Sequence, residues 1–270
     1  MTKNDPTVAV VVPFYRDKLD PDEQISQRHL LKFLGDFDKY LIVPERLKVN
    51  VDGFAVKRFR DDYFDSTISY SALLLSGEFY QTFSSYDFIL IYQLDALVFS
   101  DQLKYWCRRD WDYIGAPWIE SPIVDFVEAP AVGNGGFSLR KVKSFLRVID
   151  SEGFDRELER YRKVLADPNT TRPEQSLTIS ARVVNRLKNS FGTGGRPDPT
   201  LYGINEDYFW SFKAINYWPD FRIAPVEEAL RFSFEVEPRR CYALNGFHLP
   251  FGCHAWNKYD RDFWEPFLLK

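Results

Sequence analysis

The stretch Asp87-Phe-Ile-Leu-Ile-Tyr-Gln-Leu-Asp95 decides the fold that this sequence predicts. Four consecutive apolar residues follow Asp87, a pattern typical of a strand that is buried on both faces, as in a parallel sheet. Gln93 and Asp95 then stand two residues apart, which places them on one face of an extended chain. We therefore expect both at the carboxyl end of the strand, the edge at which such sheets bind ligands.

A carboxylate at the end of a buried strand is costly unless it has a partner, so Asp95 needs one. One candidate is a divalent cation, which prefers oxygen ligands and bridges phosphates. The other is the backbone of the following segment, which Asp95 would cap. Gln93 suits a hydrogen bond to a base, a ribose or a metal-bound water, and the local pattern leaves these alternatives open.

The segments before this strand alternate between strand and helix. Short apolar runs predict three strands, whereas a Pro with acidic neighbours and regular apolar spacing predict two helices. The strands cover residues 8–15, 40–44 and 54–59, and the helices cover about residues 21–34 and 68–83. This order predicts an α/β fold with a mostly parallel sheet covered by helices.

The second part of the chain contains shorter predicted elements. They are a strand and turn at 112–118, a glycine-rich turn at 133–140, helices at about 141–149 and 155–165, a polar excursion at 167–199, a helix opened by Asn205, and short strands from Phe221. The sequence shows no internal repeat and no low-complexity tract. We predict one domain, residues 1–270.

The composition disfavours several classes of protein. The formal net charge is −4 and the basic residues are spread along the chain, which argues against a broad nucleic-acid-binding face. No run approaches the roughly 20 apolar residues of a membrane span, and the N-terminus carries no signal-peptide pattern, so we predict a cytoplasmic protein. Three cysteines without a CxxC pair predict neither a zinc site nor a disulfide framework. The aromatic content of 17% fits stacking on sugars or bases, or equally a Phe-rich core.

Glu206 and Asp207 form an acidic pair directly before the aromatic run Tyr208-Phe-Trp210. One carboxylate could deprotonate a sugar hydroxyl while the rings pack on the sugar. The alternative is structural, because acidic side chains stabilise a helix N-terminus. The two interpretations are equally supported by the local sequence.

Histidine and glycine residues mark two further places. His254, between glycine and aromatic residues, suits a metal or a diphosphate oxygen, and also an ordinary structural hydrogen bond. Gly135 and Gly136 allow a ligand to approach the main chain closely, or simply form a tight turn. His29 is expected on a surface helix and receives no role.

These features, in this order, resemble the GT-A glycosyltransferases, and more closely a bacterial group formerly known only as a domain of unknown function. Some relatives of that group transfer galactofuranose in O-antigen synthesis. The resembling stretches cover nearly the whole chain and are Ile91-Tyr-Gln-Leu-Asp-Ala-Leu-Val98, Tyr113-Ile-Gly-Ala-Pro-Trp118, Asn134-Gly-Gly-Phe-Ser-Leu-Arg140, Asn205-Glu-Asp207 and Phe251-Gly-Cys-His-Ala-Trp256. The resemblance implies a GT-A-like, Rossmann-related central sheet, mostly parallel and flanked by helices, with a smaller mixed region on the acceptor side.

The resemblance also implies roles for individual residues. Gln93-Leu94-Asp95 occupies the place of the family's Asp-x-Asp motif, with Gln in place of the first acid. Asp95 and His254 would hold a divalent cation, Mn²⁺ or Mg²⁺, on the donor diphosphate, and Asp207 or Glu206 would be the catalytic base. The residues expected to contact donor or acceptor are Pro13, Phe14, Tyr15, Gln93, Asp95, Trp118, Asn134, Gly135, Gly136, Tyr208 and Trp210.

The reaction implied is transfer of a sugar from a nucleotide sugar, expected to be a UDP-sugar, to a glycan or lipid-linked glycan, with inversion. About residues 1–100 would bind the donor, and about residues 101–270 would bind the acceptor and carry the catalytic residues. No nucleic-acid partner is expected, and association with the inner face of a membrane or with an enzyme complex would be peripheral. The alternatives are a glycoside hydrolase, a non-catalytic carbohydrate-binding protein and a nucleotidyltransferase. The last normally has a glycine-containing loop after the first strand, whereas Pro13-Phe-Tyr-Arg-Asp-Lys18 has no glycine.

Overall fold

A computed structural model describes residues 5–121, 124, 129–156, 158, 159, 163 and 205–269. Within these residues the strands are β1 (Val8–Pro13), β2 (Asp38–Pro44), β3 (Ala55–Phe59), β4 (Phe88–Tyr92), β5 (Leu97–Val98), β6 (Tyr113–Ile114), β7 (Pro117–Trp118), β8 (Ala131–Val132), β9 (Phe137–Lys141), β10 (Ser233–Phe234) and β11 (Gly252–Cys253). The helices are α1 (Pro21–Leu34), α2 (Thr67–Leu74), α3 (Gly77–Thr82), α4 (Leu103–Arg108), α5 (Val142–Ile149), α6 (Glu206–Phe212), α7 (Ala214–Tyr217), α8 (Val226–Phe232), α9 (Pro238–Leu244) and α10 (Arg261–Trp264). Short 3₁₀ helices cover Asp61–Phe64 and Glu265–Phe267.

The central sheet has six strands in the order β3-β2-β1-β4-β9-β6. The pairs from β3 to β4 are parallel, and β9 runs antiparallel to both β4 and β6. A smaller mixed sheet has the order β10-β11-β5, and β7 pairs with β8. The predicted α/β class, with a mostly parallel central sheet and a smaller mixed region, is confirmed.

Both faces of the central sheet are covered, because β1 and β4 are buried along their whole length. Successive side chains of β1 point to opposite faces, as the strand period requires. Val10 and Val12 join the cluster that includes Leu34 of α1, whereas Val11 joins the cluster that includes Phe145 of α5. The continuous apolar run that the sequence shows in β1 thus reflects burial on two sides.

The start of α1 lies where the proline and its acidic neighbours predict it, and a capping box fixes it there. Asp20 accepts hydrogen bonds from the backbone of Asp22 and Glu23, and the Glu23 side chain accepts one from the Asp20 amide. Pro21 occupies the first turn, where its missing amide hydrogen costs nothing. Together these residues fix the helix N-terminus at the predicted position.

The single helix predicted for residues 68–83 is wrong, because the structure contains two helices there. α2 ends at Leu74 and α3 begins at Gly77. Ser76 caps α3 by accepting a hydrogen bond from the Phe79 amide at 3.2 Å. Serine hydroxyls compete for backbone groups in this way, which favours a new N-cap over a continuous helix.

His29 of α1 lies in the core, which corrects the prediction of a surface position. Its side chain is 1% exposed, Nδ1 lies 2.8 Å from the Val98 carbonyl, and the Leu269 amide donates to Nε2 at 3.0 Å. Burial, which disfavours the charged ring, lowers the pKa of His29. The neutral ring therefore ties α1 to β5 and to the C-terminal segment.

The predicted excursion at 167–199 lies outside the described residues, and so does most of the helix predicted for 155–165. In the described ranges, no helix combines the length and the apolar character that a bilayer span requires.

Candidate functional site

The candidate site lies beside β1, where the order in which the chain adds strands to the central sheet reverses. β2 and β3 extend from one side of β1, whereas β4 pairs with the other side, and β1 and β4 are parallel. Open α/β sheets bind ligands at the carboxyl ends of the strands at such a switch point. Tyr15 follows β1 at this edge, and Gln93 and Asp95 follow β4.

Gln93 and Asp95 stand in a turn, because β4 ends at Tyr92, three residues before Asp95, where the predicted strand ends. The Ala96 amide donates to the Gln93 carbonyl at 2.9 Å, which closes the turn. Both side chains contact the same partner, as two residues on one strand face would. Here, however, the turn places them side by side. That partner is His254.

His254 is the centre of the polar cluster. Its Nε2 lies 3.0 Å from Gln93 Oε1 and 3.1 Å from Asp95 Oδ1. On the opposite side of the ring, Nδ1 lies 3.1 Å from Glu235 Oε1 and 3.0 Å from the Asn134 side-chain amide. The structure therefore brings together Gln93, Asp95, Asn134 and His254, which the sequence analysis selected from three separate motifs.

In this cluster the Asp95 carboxylate and the His254 ring each favour the charged form of the other. Burial opposes a charge on His254, but attraction to Asp95 and hydrogen bonds to Asp95 and Glu235 outweigh it and raise the pKa of His254 to about 10. Burial likewise opposes ionisation of Asp95, and the neighbouring His254 nevertheless holds the pKa of Asp95 below its usual value. At neutral pH the ring is thus an imidazolium that bridges two carboxylates.

Two glycines of the 133–140 turn make room for the protein's own side chains. A Cβ atom on Gly136 would overlap the His254 ring, and a Cβ on Gly135 would overlap the Glu206 carboxylate. Asn134, directly before them, adopts a left-handed backbone with φ 51°. The close approach that the sequence predicted at these glycines therefore serves His254 and Glu206.

Glu206 forms a buried ion pair. The Arg140 guanidinium donates to both Glu206 carboxylate oxygens, at 2.9 and 2.8 Å, and also to Tyr80 Oη and Ser138 Oγ, each at 2.9 Å. The Arg140 side chain is 0% exposed and that of Glu206 is 6% exposed. Both Glu206 oxygens are bonded to Arg140, an arrangement typical of a structural ion pair. The predicted role of Glu206 as the alternative base stays a prediction.

Asp207 has a different environment from its neighbour. Burial, together with the negative charges of Glu206 and Glu235, raises the pKa of Asp207 to about 7. The carboxylate accepts a hydrogen bond from the Tyr208 amide at 2.8 Å and one from the Gly135 backbone. A carboxyl group that titrates near neutral pH beside a polar cluster is suited to take up a proton.

Glu235 is a site residue that the sequence analysis missed. It follows β10, lies against His254 and contributes to the electrostatic field at Asp207. Its side chain is only 12% exposed. The available signal was a single acid inside the apolar run Phe232-Ser-Phe-Glu-Val236, where a carboxylate needs a buried partner.

The aromatic residues of the prediction are less accessible than expected. Trp210 is 0% exposed and packs on Phe145 at 4.0 Å between ring centroids, which corrects the expected contact with a sugar. Trp118 is 6% exposed and stacks on Phe212. Tyr15, by contrast, is 52% exposed at the end of β1.

Three other predicted contact residues are buried or half-buried. Phe14 is a buried core residue, and Pro13 is buried at the last position of β1. Tyr208 is half-buried and lies against Phe212, at 4.8 Å between ring centroids. Tyr15 is therefore the most accessible aromatic ring among the predicted contact residues that the structure describes.

The described residues contain no group of three or more His, Cys, Asp or Glu side chains arranged around one metal position. The physical reason is that Asp95 and Glu235 approach opposite nitrogens of the His254 ring. Asp95 Oδ1 lies on the Nε2 side of the His254 ring, and the Asp95 side chain is 40% exposed. These two atoms are of the types that ligate divalent cations, and Nε2 could do so only in its deprotonated form.

The fold and the site define an α/β protein whose ionisable side chains meet at the carboxyl edge of a mostly parallel sheet. By sequence, the chain belongs to the family described as Protein of unknown function (DUF5672), which matches residues 53–254. A comparison with curated proteins gives no match.

Several solved glycosyltransferase structures show a distant likeness. The mannosyltransferase Ktr4p from S. cerevisiae, in complex with GDP, has a TM-score of 0.40 at 11% identity, over 58% of this chain and 61% of that chain. A glycosyltransferase involved in glycosylation of the major capsid of PBCV-1 has a TM-score of 0.40 at 10% identity, over 97% and 98%. Core-mannan synthase A from Aspergillus fumigatus, in a Mn/GDP form, has a TM-score of 0.39 at 10% identity, over 60% and 66%.

Proposed function

We propose that this chain is a glycosyltransferase that moves a sugar from a nucleoside diphosphate sugar to a hydroxyl group of a glycan. The observation that carries the proposal is the juxtaposition of two kinds of carboxylate. Asp207 titrates near neutral pH and is bonded by Gly135, while the adjoining Gly136 abuts His254, which is paired with Asp95. A proton acceptor and a diphosphate anchor thus belong to one cluster at the sheet edge.

Asp207 is the proposed catalytic base. It takes the proton of the acceptor hydroxyl, whose oxygen attacks the anomeric carbon of the donor. The bond from that carbon to the diphosphate oxygen breaks, and its electron pair leaves with the nucleoside diphosphate. A single displacement of this kind inverts the anomeric configuration. Glu206 supports the step indirectly, because its negative charge helps to raise the pKa of Asp207.

Asp95 and His254 are the proposed anchor for the donor diphosphate. The charges of Asp95, Glu235 and Asp207 exceed the single positive charge of His254, so the cluster by itself would repel a diphosphate. A divalent cation, Mn²⁺ or Mg²⁺, would neutralise charge on the leaving group. Asp95 would hold it together with His254, once the cation has displaced the proton from Nε2. Gln93 ties His254 to the end of β4.

The ends of β1 and β4 are the proposed position of the nucleoside. Tyr15 offers an exposed ring at the end of β1, and aromatic rings stack on nucleobases. Gln93 is half-buried and can hydrogen-bond a polar edge. The UDP-sugar that the resemblance implies is one donor of this class, and a GDP-sugar has the same diphosphate chemistry.

A glycan or lipid-linked glycan is the proposed acceptor, as in synthesis of a surface polysaccharide such as O-antigen. The acceptor would enter from the side of Asp207 and Tyr208 at the start of α6. We further propose that the protein acts in the cytoplasm, where nucleotide sugars are available.

A thermal-shift panel combined with an Asp207→Asn variant tests this function. UDP- and GDP-sugars are added with Mn²⁺, Mg²⁺ or EDTA, and one donor is expected to raise the melting temperature. With that donor, Asp207→Asn should keep the shift but lose transfer by about 10²-fold or more, because the base is gone. Asp52→Asn, an exposed acid in the turn before β3, is the matched control and should behave as wild type. Absence of a shift with every donor would exclude the proposal.

The pH dependence of transfer should report Asp207. The carboxylate must be ionised to accept a proton, so kcat/KM should rise with pH up to about 7 and level off above it. Glu235→Gln removes one of the charges that raise this pKa, so its rising limb should move to lower pH. A profile that is identical in wild type and Glu235→Gln would contradict the assignment of the base.

A further inference from the structure

The end of α9 and the turn after it expose two large apolar side chains, Leu244 and Phe247, which we call the apolar tip. Leu244 is 58% exposed and Phe247 is 69% exposed, the two highest values among the large hydrophobic residues in the described part of the chain. The tip lies in the segment that leaves the polar cluster at Glu235 and returns to it at His254. No side chain of the polar cluster belongs to the tip.

The turn holds the Phe247 ring outward. Its amide donates to the Tyr242 carbonyl at 2.8 Å, and the Asn245 amide donates to the Cys241 carbonyl at 2.8 Å. Gly246 and Phe247 both have left-handed backbones, with φ 65° and 60°. This backbone conformation is unfavourable for a bulky residue, so the hydrogen-bonded turn holds Phe247 in it against its local preference. The Phe247 ring makes an edge-to-face contact with Tyr242, and the side chain is otherwise exposed.

The charges around the apolar tip have one sign along the chain. Between the flanking acids Glu237 and Asp260, residues 238–259 contain three Lys or Arg residues and no Asp or Glu. Arg240 precedes Leu244 by one helical turn, about 5.4 Å along the axis, and so lies on the same helix face. Arg239 is paired with Asp260. Arg240 donates a hydrogen bond to the Glu120 carbonyl, its ion pair with the Glu120 carboxylate is long, at 3.9 Å, and half of its side chain stays exposed.

We propose that the apolar tip inserts into the surface of an anionic phospholipid bilayer, with Arg240 at the level of the phosphates. Aromatic and aliphatic side chains with a cation one turn behind them match the layers of a bilayer interface. A second copy of the chain fits less well. One phenylalanine buries about 150–250 Å², while a stable protein interface buries about 800 Å² on each partner.

Vesicle sedimentation tests the proposal without any assumption about catalysis. Full-length protein is mixed with sucrose-loaded vesicles of phosphatidylcholine, with and without one-third phosphatidylglycerol, at low salt. We expect binding to the anionic vesicles, weaker binding to the neutral ones, and a decrease at high salt. The double variant Leu244→Ser/Phe247→Ser should lose about tenfold or more of its partition coefficient, because the inserted apolar area is gone.

Two further variants separate the parts of the proposal. Arg240→Gln should weaken binding to anionic vesicles and leave binding to neutral vesicles unchanged. Leu31→Ser, at a 44% exposed leucine between Arg28 and Lys32 on α1, is the matched control and should bind as wild type. Circular dichroism verifies that each variant is folded.

Three results would overturn the proposal. They are a wild-type protein that ignores anionic vesicles, a double variant that binds as well as wild type, and a wild-type dimer in light scattering that the double variant abolishes. For a positive signature, Phe247→Trp should show quenching of its fluorescence by lipids brominated near the headgroup. An unquenched residue 247 would also count against insertion.

Discussion

The neighbours Glu206 and Asp207 show how partners assign different roles to identical chemical groups. Glu206 has a bidentate guanidinium partner, Arg140, inside the protein. For Asp207, burial and the negative charges of Glu206 and Glu235 raise the pKa. A single peptide step thus separates a structural ion pair from a carboxyl group that titrates near pH 7.

Breaking the Arg140–Glu206 pair should be costly. Glu206→Gln leaves the Arg140 guanidinium buried without its counter-charge, and removal of one partner of a buried pair costs about 3–5 kcal/mol. We expect the free energy of unfolding in urea to fall by that amount. The arginine of an exposed pair supplies the control. Arg239→Gln breaks the contact with Asp260, where Arg239 is 64% exposed, and should cost less than about 1 kcal/mol.

A loss of less than about 1 kcal/mol for Glu206→Gln would show that the pair is not buried as described.

The same measurement of unfolding in urea should give a different result for Asp207 than for Glu206. Asp207→Asn removes a carboxylate that burial destabilises, so it should leave stability unchanged or higher above pH 7, where the wild-type group is ionised. If Glu206→Gln lowers the free energy of unfolding and Asp207→Asn does not, a general effect of substitution in α6 cannot explain both results.

At the scale of single residues, the sequence contains the identity of the cluster but not its charge state. Strand-end position and the Gly-Cys-His motif were enough to select Asp95 and His254, which the structure places 3.1 Å apart. The preference between Glu206 and Asp207 depends on Arg140, which lies 66 residues away in the chain. No local pattern reports that contact, and for the same reason Glu235 was missed.

The glycine-rich turn before β9 is the element that joins the two parts of the site. It places Gly135 against Glu206 and Gly136 against the His254 ring, without room for a Cβ atom at either position. The turn continues into β9, whose Phe137 pairs with Tyr92 of β4. The geometry of the site thus depends on the register between these two strands.

Gly136→Ala tests the packing of this turn. The added methyl group would overlap His254, and overpacking of this kind costs about 1–3 kcal/mol. We expect the melting temperature to fall by roughly 3–10 °C. Gly77→Ala is the control, because a Cβ there meets its nearest neighbour at 3.6 Å and Gly77 begins α3, so the melting temperature should stay or rise. Equal effects at both glycines would contradict the close contact with His254.

Elements were predictable where local chemistry alone defines them. α1 has its capping box and proline, and β1 and β4 have continuous apolar runs. The short helix α4 and the two-residue strands carry no comparable local signal, because tertiary contacts decide such short segments. The break between α2 and α3 was present in the sequence as Ser76-Gly77, and the apolar spacing around it concealed it.

At the scale of the whole molecule, the central sheet combines both parts of the chain. β1 to β4 come from residues before 100, whereas β6 and β9 come from residues after it. β4, in the interior of the sheet, is paired with β1 on one side and with β9 on the other. The donor-binding half at about 1–100 stays a prediction about where the donor binds. Because the sheet combines strands from both halves, it gives no basis for an independent folding unit in residues 1–100.

Unfolding should accordingly be a single cooperative transition for the two halves. All seven tryptophans follow residue 100, so their fluorescence reports the second half alone, while hydrogen exchange of the β1 and β2 amides reports the first. Loss of β9 would expose the apolar β4 and its backbone groups, which is unfavourable, so we expect both probes to give the same midpoint in urea. The edge strand β3 is the internal reference, because its amides can exchange by local opening. A lower midpoint for β1 and β2 than for the tryptophans would instead show that the first 100 residues unfold as a separate domain.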